Sequence, residues 1–191
     1  MSLTGYVVLG VPIILAVYGV LIYNRLIELK HNVGKSWSNI DVLLKQRHDE
    51  LPKLVETCKQ YMKFEQETLD AVMRARSAVA TAQHAGDVDA LGKAETMMRS
   101  GLGNLFAVAE AYPELRSNET FQHLQGRVSG LENAIADRRE FYNASVNLNN
   151  IRIQQFPDVL VANMFGFRGK RFLKFQESER QDVNLTKLFG T

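Results

Sequence analysis

Two hydrophobic patterns follow each other along the chain without a break. Residues 5–23 form an apolar run with no charged side chain. A helix of that length, rising about 1.5 Å per residue, just crosses a hydrocarbon core of roughly 30 Å. Beyond it, apolar residues recur at alternating steps of four and three: Val33, Trp37, Ile40 and Leu44, then Leu51, Leu54, Cys58 and Tyr61, and on through Val72 and Ala75 to Val79. Arg47, Glu65 and Thr68 are the exceptions in this repeat. The spacing predicts one extended helix with a coiled-coil-like seam. Pro52 removes a helical hydrogen bond. Leu51 and Leu54 nevertheless stay in phase with Leu44 and Cys58, which predicts a kinked but continuous helix. The helix is expected to end near His84-Ala85-Gly86, where glycine supplies the left-handed terminating residue.

Asp87 is placed to cap a second amphipathic helix, whose apolar positions include Leu91, Ala94, Met98, Leu102 and Leu105. Gly92, Gly101 and Gly103 each weaken that helix by about 1 kcal/mol relative to alanine, which points to close helix–helix approach along this face. It stops before Pro113. Ser117-Asn118 offers a cap for a third helix, with Phe121, Leu124, Val128, Leu131 and Ile135 at three and four steps. That pattern runs through Tyr142, Val146 and Ile153 to Phe156-Pro157. Short links between long amphipathic helices predict an all-α protein: an N-terminal transmembrane helix continuing into an up-and-down antiparallel bundle. The expected divisions are an anchor over 1–23, a bundle over 24–164, and an aromatic-basic segment with its tail over 165–191.

Charge gives the anchor a direction. No cation precedes the apolar run, whereas Arg25, Lys30, Lys35, Lys45 and Arg47 follow it. An excess of cations marks the cytoplasmic flank, so residues 24 onward are expected in the cytoplasm and the N-terminus outside. The uncharged N-terminus and long apolar run fit an anchor better than a cleaved signal. Tyr23, Arg25 and Lys30 would lie at the membrane interface. The net charge of +2 argues against nucleic acid as a main partner. The lone Cys58, on the apolar stripe, reads as a small buried hydrophobe.

Several polar residues fall on or beside the seam. Arg47, Glu132, Arg139, Tyr142 and Asn143 read as a structural polar network, with Arg47 paired to a carboxylate from another helix, because a buried unpaired charge is expensive. The segment 165–175 interleaves Phe165, Phe167, Phe172 and Phe175 with Arg168, Lys170, Arg171 and Lys174. Either the rings dock on the bundle and the cations stay solvated, or the segment lies against anionic headgroups or a neighbouring subunit. The sequence contains no GxxxxGK[ST], GxSxG or HExxH pattern. Its single Glu-x-x-His, Glu28 to His31, is half of what a di-iron bundle needs, and four scattered histidines with one cysteine make no zinc set.

Certain stretches carry a family resemblance. Trp37-Ser38-Asn39-Ile40-Asp41-Val42-Leu43-Leu44-Lys45-Gln46-Arg47, Asp49-Glu50-Leu51-Pro52-Lys53-Leu54-Val55 and Ala109-Glu110-Ala111-Tyr112-Pro113-Glu114-Leu115 resemble the LemA family. So do Asn118-Glu119-Thr120-Phe121, Arg138-Arg139, Tyr142-Asn143 and Phe165-Gly166-Phe167, and the likeness runs in order over about residues 20–175. Gln46 stands where the family often has a basic residue, and Lys53 where it often has asparagine. The resemblance implies a single-pass protein of the bacterial inner membrane with a cytoplasmic helical bundle. It implies no enzymatic activity and no catalytic residues, and one relative takes part in forming the magnetosome membrane compartment.

These readings lead to the expectation of a non-enzymatic scaffold. It would assemble with copies of itself, organise or remodel the membrane, and use no cofactor, metal or small-molecule substrate. Membrane lipid and a second copy of the chain are the expected partners. The alternative is an adaptor that binds another membrane protein, such as a membrane protease or an envelope-stress component.

Overall fold

The computed structural model describes residues 3–174. They form six helices: α1 (Leu3–Lys59), α2 (Gln66–Ala85), α3 (Val88–Ala109), α4 (Pro113–Ser117), α5 (Glu119–Arg152) and α6 (Asp158–Met164). No strand occurs among the described residues. The fold is all-α, as the periodicity predicts: a long N-terminal apolar helix followed by a helical bundle. Two compact units divide the described residues, one of 3–39 with 138–172 and the other of 40–137 with 173–174.

In the second unit, α1 is helical straight across Pro52. The expected unbroken helix through Val79 does not form, however. The chain leaves the helix after Lys59 and re-enters it at Gln66. Glu65 and Thr68, two of the three polar exceptions to the repeat, sit at this break. Within it Met62 and Leu69 are buried in place of Tyr61 and Thr68, and the buried positions rejoin the predicted repeat at Val72, Ala75 and Val79. Tyr61 turns instead to a polar cluster, where its hydroxyl accepts from Asn118 Nδ2 at 3.1 Å.

The C-terminal end of α2 and the starts of α3 and α5 follow the sequence. Gly86 adopts φ 63° and its N–H closes on Gln83 O, while Asp87 Oδ1 accepts from the N–H groups of Asp89 and Ala90 at 3.0 and 3.1 Å. Asn118 Oδ1 accepts from Phe121 N–H at 3.0 Å to start α5. The short α4 begins at Pro113, whose fixed φ suits a first helical turn. Leu44, Leu51, Leu54, Leu91, Met98, Leu105 and Phe121 form the heart of this core. Each such side chain contributes about 1.5–3 kcal/mol on burial.

Two of the three glycines expected to mark close approach do so. A Cβ on Gly101 would meet Val72 of α2 at 3.6 Å. One on Gly92 would lie 2.1 Å from the Lys174 carbonyl, so the neighbour there is the C-terminal segment rather than a helix. Gly103 faces open space.

In the first unit, the apolar part of α1 is exposed all round: Leu9, Val11, Ile13, Ile14, Leu15, Val17, Tyr18, Val20 and Leu21 are each 49–68% accessible. It is the one described helix long and apolar enough to cross a membrane. Below it, Ile22 and Leu26 turn inward and pack with Ile153 of the α5–α6 turn and Ala162 of α6, covered by Val161 and Phe167. α5 ends at Arg152, four residues before the expected stop, and α6 is a helix that the periodicity did not announce. Asp158, buried in the first turn of α6, forms an ion pair with Arg152 and fixes the turn between them.

Candidate functional site

Two constellations emerge, one in each unit. The first is built around the foot of the apolar run. Tyr23, Ile27 and Lys30 follow each other at four and three steps and therefore share one face of α1. The α6 helix ends at Gly166, which takes φ 69°. Only a residue without a Cβ adopts that left-handed geometry at no steric cost. The chain reverses there, and Phe167 N–H donates to Ala162 O at 2.9 Å. This reversal brings both neighbouring rings onto Tyr23, with centroids at 4.7 Å for Phe165 and 5.8 Å for Phe167. Beyond Phe167, the backbone is tied to α5. Asn150 bonds reciprocally to the backbone of Lys170, and the buried Tyr142 hydroxyl donates to Arg171 O at 2.9 Å. Trp37 backs that tyrosine, with ring centroids 5.3 Å apart.

The result is a half-open cleft of about 320 Å³. Tyr23, Phe165 and Phe167 make its aromatic side, and Lys30, Arg168 and Lys170 supply its charge. Asn149, almost wholly buried, lies at its back. Among the described residues no carboxylate lines it.

The second constellation lies inside the other unit. The Arg47 guanidinium, 1% exposed, meets Glu95 of α3 through both terminal nitrogens and Glu132 of α5 through one of them. The bond from Arg47 Nη1 to Glu95 Oε2 is 3.0 Å. Burial opposes the charge on Arg47, but the two carboxylates outweigh it and hold its pKa above the usual value. Burial pushes the Glu95 carboxyl up; Arg47 pulls it down and Glu132 adds to the rise. Arg99 adds a smaller pull in the same direction as Arg47. Burial likewise pushes the Cys58 thiol up to about 12. This site joins three helices; Arg47 and Glu95 are buried, whereas Glu132, 18% exposed, also lines a surface groove with Arg99 and Asn133.

The sequence-derived residues are distributed as follows. Arg47 and Glu132 meet as expected, with Glu95 as a third member that the sequence reading missed. Its signal was present: Glu95 lies four residues after Leu91 and three before Met98, on the buried stripe of α3. Arg139, Tyr142 and Asn143 belong to the other unit, so the expected group is divided. Of the aromatic-basic segment, Phe165 and Phe167 contact Tyr23, Phe172 is half-buried, and Leu173 is buried. Arg168, Lys170, Arg171 and Lys174 are exposed, as is Arg25 on α1. Phe175 lies outside the described residues. Among the described residues, no group of three His, Cys, Asp or Glu side chains is placed to hold a metal ion.

A helical bundle carrying an exposed apolar helix of spanning length, with aromatic and basic side chains gathered at its foot, defines a membrane-associated helical protein. The LemA family model matches residues 36–186, and the chain belongs to the LemA family. It is 27% identical over 187 residues to magnetosome protein MamQ 2 of Paramagnetospirillum magneticum, covering 84% of this chain and 67% of that protein. MamQ of Magnetospirillum gryphiswaldense is 26% identical over 184 residues, with the same coverage. Protein LemA of Metamycoplasma hominis is 26% identical over 167 residues, covering 86% of this chain and 74% of that protein.

Proposed function

We propose that this protein is a non-enzymatic, membrane-anchored scaffold of the bacterial inner membrane. It assembles with copies of itself and organises or remodels the bilayer, with its N-terminus outside and its bundle in the cytoplasm. The observation that carries this reading is an exposed apolar face on α5. Phe141 and Leu148 are each about 60% exposed, and Ile151 follows on the same side of the helix. Phe141 and Leu148 line a cleft of about 290 Å³ whose other wall is α1, with Leu29, Asn32 and Ser36. Large apolar side chains repeating along one exposed face mark an interaction surface. Anchored chains are confined to the plane of the membrane, where side-by-side contacts of a second copy suit such a face. The relation to proteins named for the magnetosome supports a structural role.

The test is the mass of the full-length protein in mild detergent, beside the variant Phe141→Ser/Leu148→Ser. We expect a large uniform particle that shrinks in the variant while its helical circular dichroism is kept. A wild-type chain that stays monomeric well above cellular concentration rules out the scaffold. The reading then moves to an adaptor that offers this face to another membrane protein.

A further inference from the structure

We propose that the cleft bounded by Tyr23, Lys30, Arg168 and Lys170 is a binding site for the phosphate headgroup of an anionic phospholipid. The lipid belongs to the membrane that α1 crosses. This inference rests on reading α1 as a membrane span and does not depend on self-assembly.

The dimensions of the cleft match that ligand. Tyr23 and Lys30 are seven residues apart on one helix face, about 10 Å along the axis. The headgroup layer on each side of a bilayer is about 5–8 Å thick. With Tyr23 ending the apolar run, the aromatic end of the cleft meets the edge of the hydrocarbon core. The ammonium of Lys30 then stands at or just beyond the phosphate level. The rings of Tyr23, Phe165 and Phe167 suit the boundary where acyl chains meet glycerol. At the basic end, Arg168 has the planar fork that grips two phosphate oxygens, and the two lysines act as point charges. Among the described residues no carboxylate lines the cleft beside these cations.

The surface beside the cleft points to lipid rather than a soluble phosphate compound. Ala162 and Val161 face Ile22 and Leu26 at the base of the anchor. On the other side of the same short helix, Leu160 and Met164 are exposed, the latter at 72%. The apolar belt of α1 therefore continues sideways onto α6 at the level of the cleft. A soluble ligand has no use for that apolar shelf, whereas the acyl chains beneath a bound headgroup do. The site is also built before any ligand arrives. Asn150 and Tyr142 hold the backbone of Lys170 and Arg171, so the cations are carried on a fixed segment.

The experiment uses the full-length protein in mild nonionic detergent. A short-chain phosphatidylglycerol, a short-chain phosphatidylcholine and inorganic phosphate are titrated in turn, with binding counted by native mass spectrometry. Three proteins are compared: wild type, Lys30→Gln/Arg168→Gln/Lys170→Gln, and Lys45→Gln/Lys63→Gln/Arg74→Gln, which loses the same charge elsewhere. We expect wild type to prefer phosphatidylglycerol, and the cleft variant alone to lose at least about tenfold in affinity for it. Equal binding of the two lipids, or equal losses in the two variants, overturns the proposal. Competition by inorganic phosphate at concentrations comparable to the lipid assigns the cleft to a soluble anion and overturns it as well. Alkaline carbonate extraction of membranes separates the two readings. Release of the wild-type chain removes the anchor and the lipid site together, whereas a retained chain without lipid preference removes only the site.

Discussion

Asn150 and Lys170 are joined by two reciprocal hydrogen bonds: the Lys170 N–H donates to Asn150 Oδ1, and Asn150 Nδ2 donates to the Lys170 carbonyl, both at 2.8 Å. A side-chain amide imitates a peptide group here and pins a segment that has no secondary structure of its own. Gly169 lies close against the clamp, since a Cβ there would come within 3.3 Å of the same oxygen. Replacing Asn150 with alanine removes both bonds, each with a net contribution of about 0.5–1.5 kcal/mol. Amide exchange at Lys170 and Arg171 should accelerate while the middle of α5 stays protected. Unchanged exchange at Lys170 contradicts the clamp.

Breaking the buried ion triad is expected to be far more damaging than replacing it. Arg47→Met leaves two carboxylates facing each other in the core and should destabilise the protein by about 3–5 kcal/mol. The concerted change Arg47→Met/Glu95→Leu/Glu132→Met should recover most of that loss. Urea denaturation in detergent reads both, and a single-variant loss below about 1 kcal/mol contradicts the account.

The same triad predicts a pH dependence. The folded pKa of Glu95 lies above its ordinary value of 4.5, so between the two values the native state binds more protons than the unfolded chain. Its contribution to stability is therefore fully present below pH 4.5 and is lost as pH rises through the folded pKa. Glu95→Gln should flatten this part of the stability profile on the alkaline side of 4.5. A steeper fall in the variant has the wrong sign for this mechanism.

Cys58 should behave as a reporter of unfolding. It is fully buried, and its thiol is held at about 12, so both access and thiolate are lacking at neutral pH. A thiol reagent at pH 8 is expected to leave the native chain unlabelled and to label it fully in denaturant. Rapid labelling of the native protein would mean that the end of α1 opens easily.

Two glycines of α3 should respond in opposite ways to alanine. At Gly92 the new methyl would collide with the Lys174 carbonyl, a backbone atom that moves only with its segment. Gly92→Ala should displace Leu173 from its buried position and hasten proteolysis there. Gly103→Ala meets nothing within 4 Å and should stabilise the helix by about 0.5–1 kcal/mol. Thermal melts of the two variants shifting in the same direction would contradict this contrast.

The amino-acid sequence by itself determined the helical class, the spanning apolar run, the C-terminal end of α2 and the starts of α3 and α5. Each of these depends on local chemistry: a 3.5-residue repeat, a capping side chain at Asp87 or Asn118, and a glycine free to take positive φ. It also marked Arg47 as a buried charge in need of a partner. Only the tertiary structure decided which partners it takes. Glu95 sits on an apolar stripe, and spacing along one helix does not tell which residues face each other across three. The break at 60–65 was equally hidden. Tyr61 fits the seam by its number and is drawn off it by Asn118, some sixty residues away in the chain. The cleft at the foot of the anchor is the extreme case. Lys30 and Lys170 are separated by most of the chain, and they line one cleft because Gly166 reverses the backbone and Asn150 holds it. Periodicity reports the faces of single elements, whereas the pairing of faces depends on packing and hydrogen bonds between residues distant in sequence.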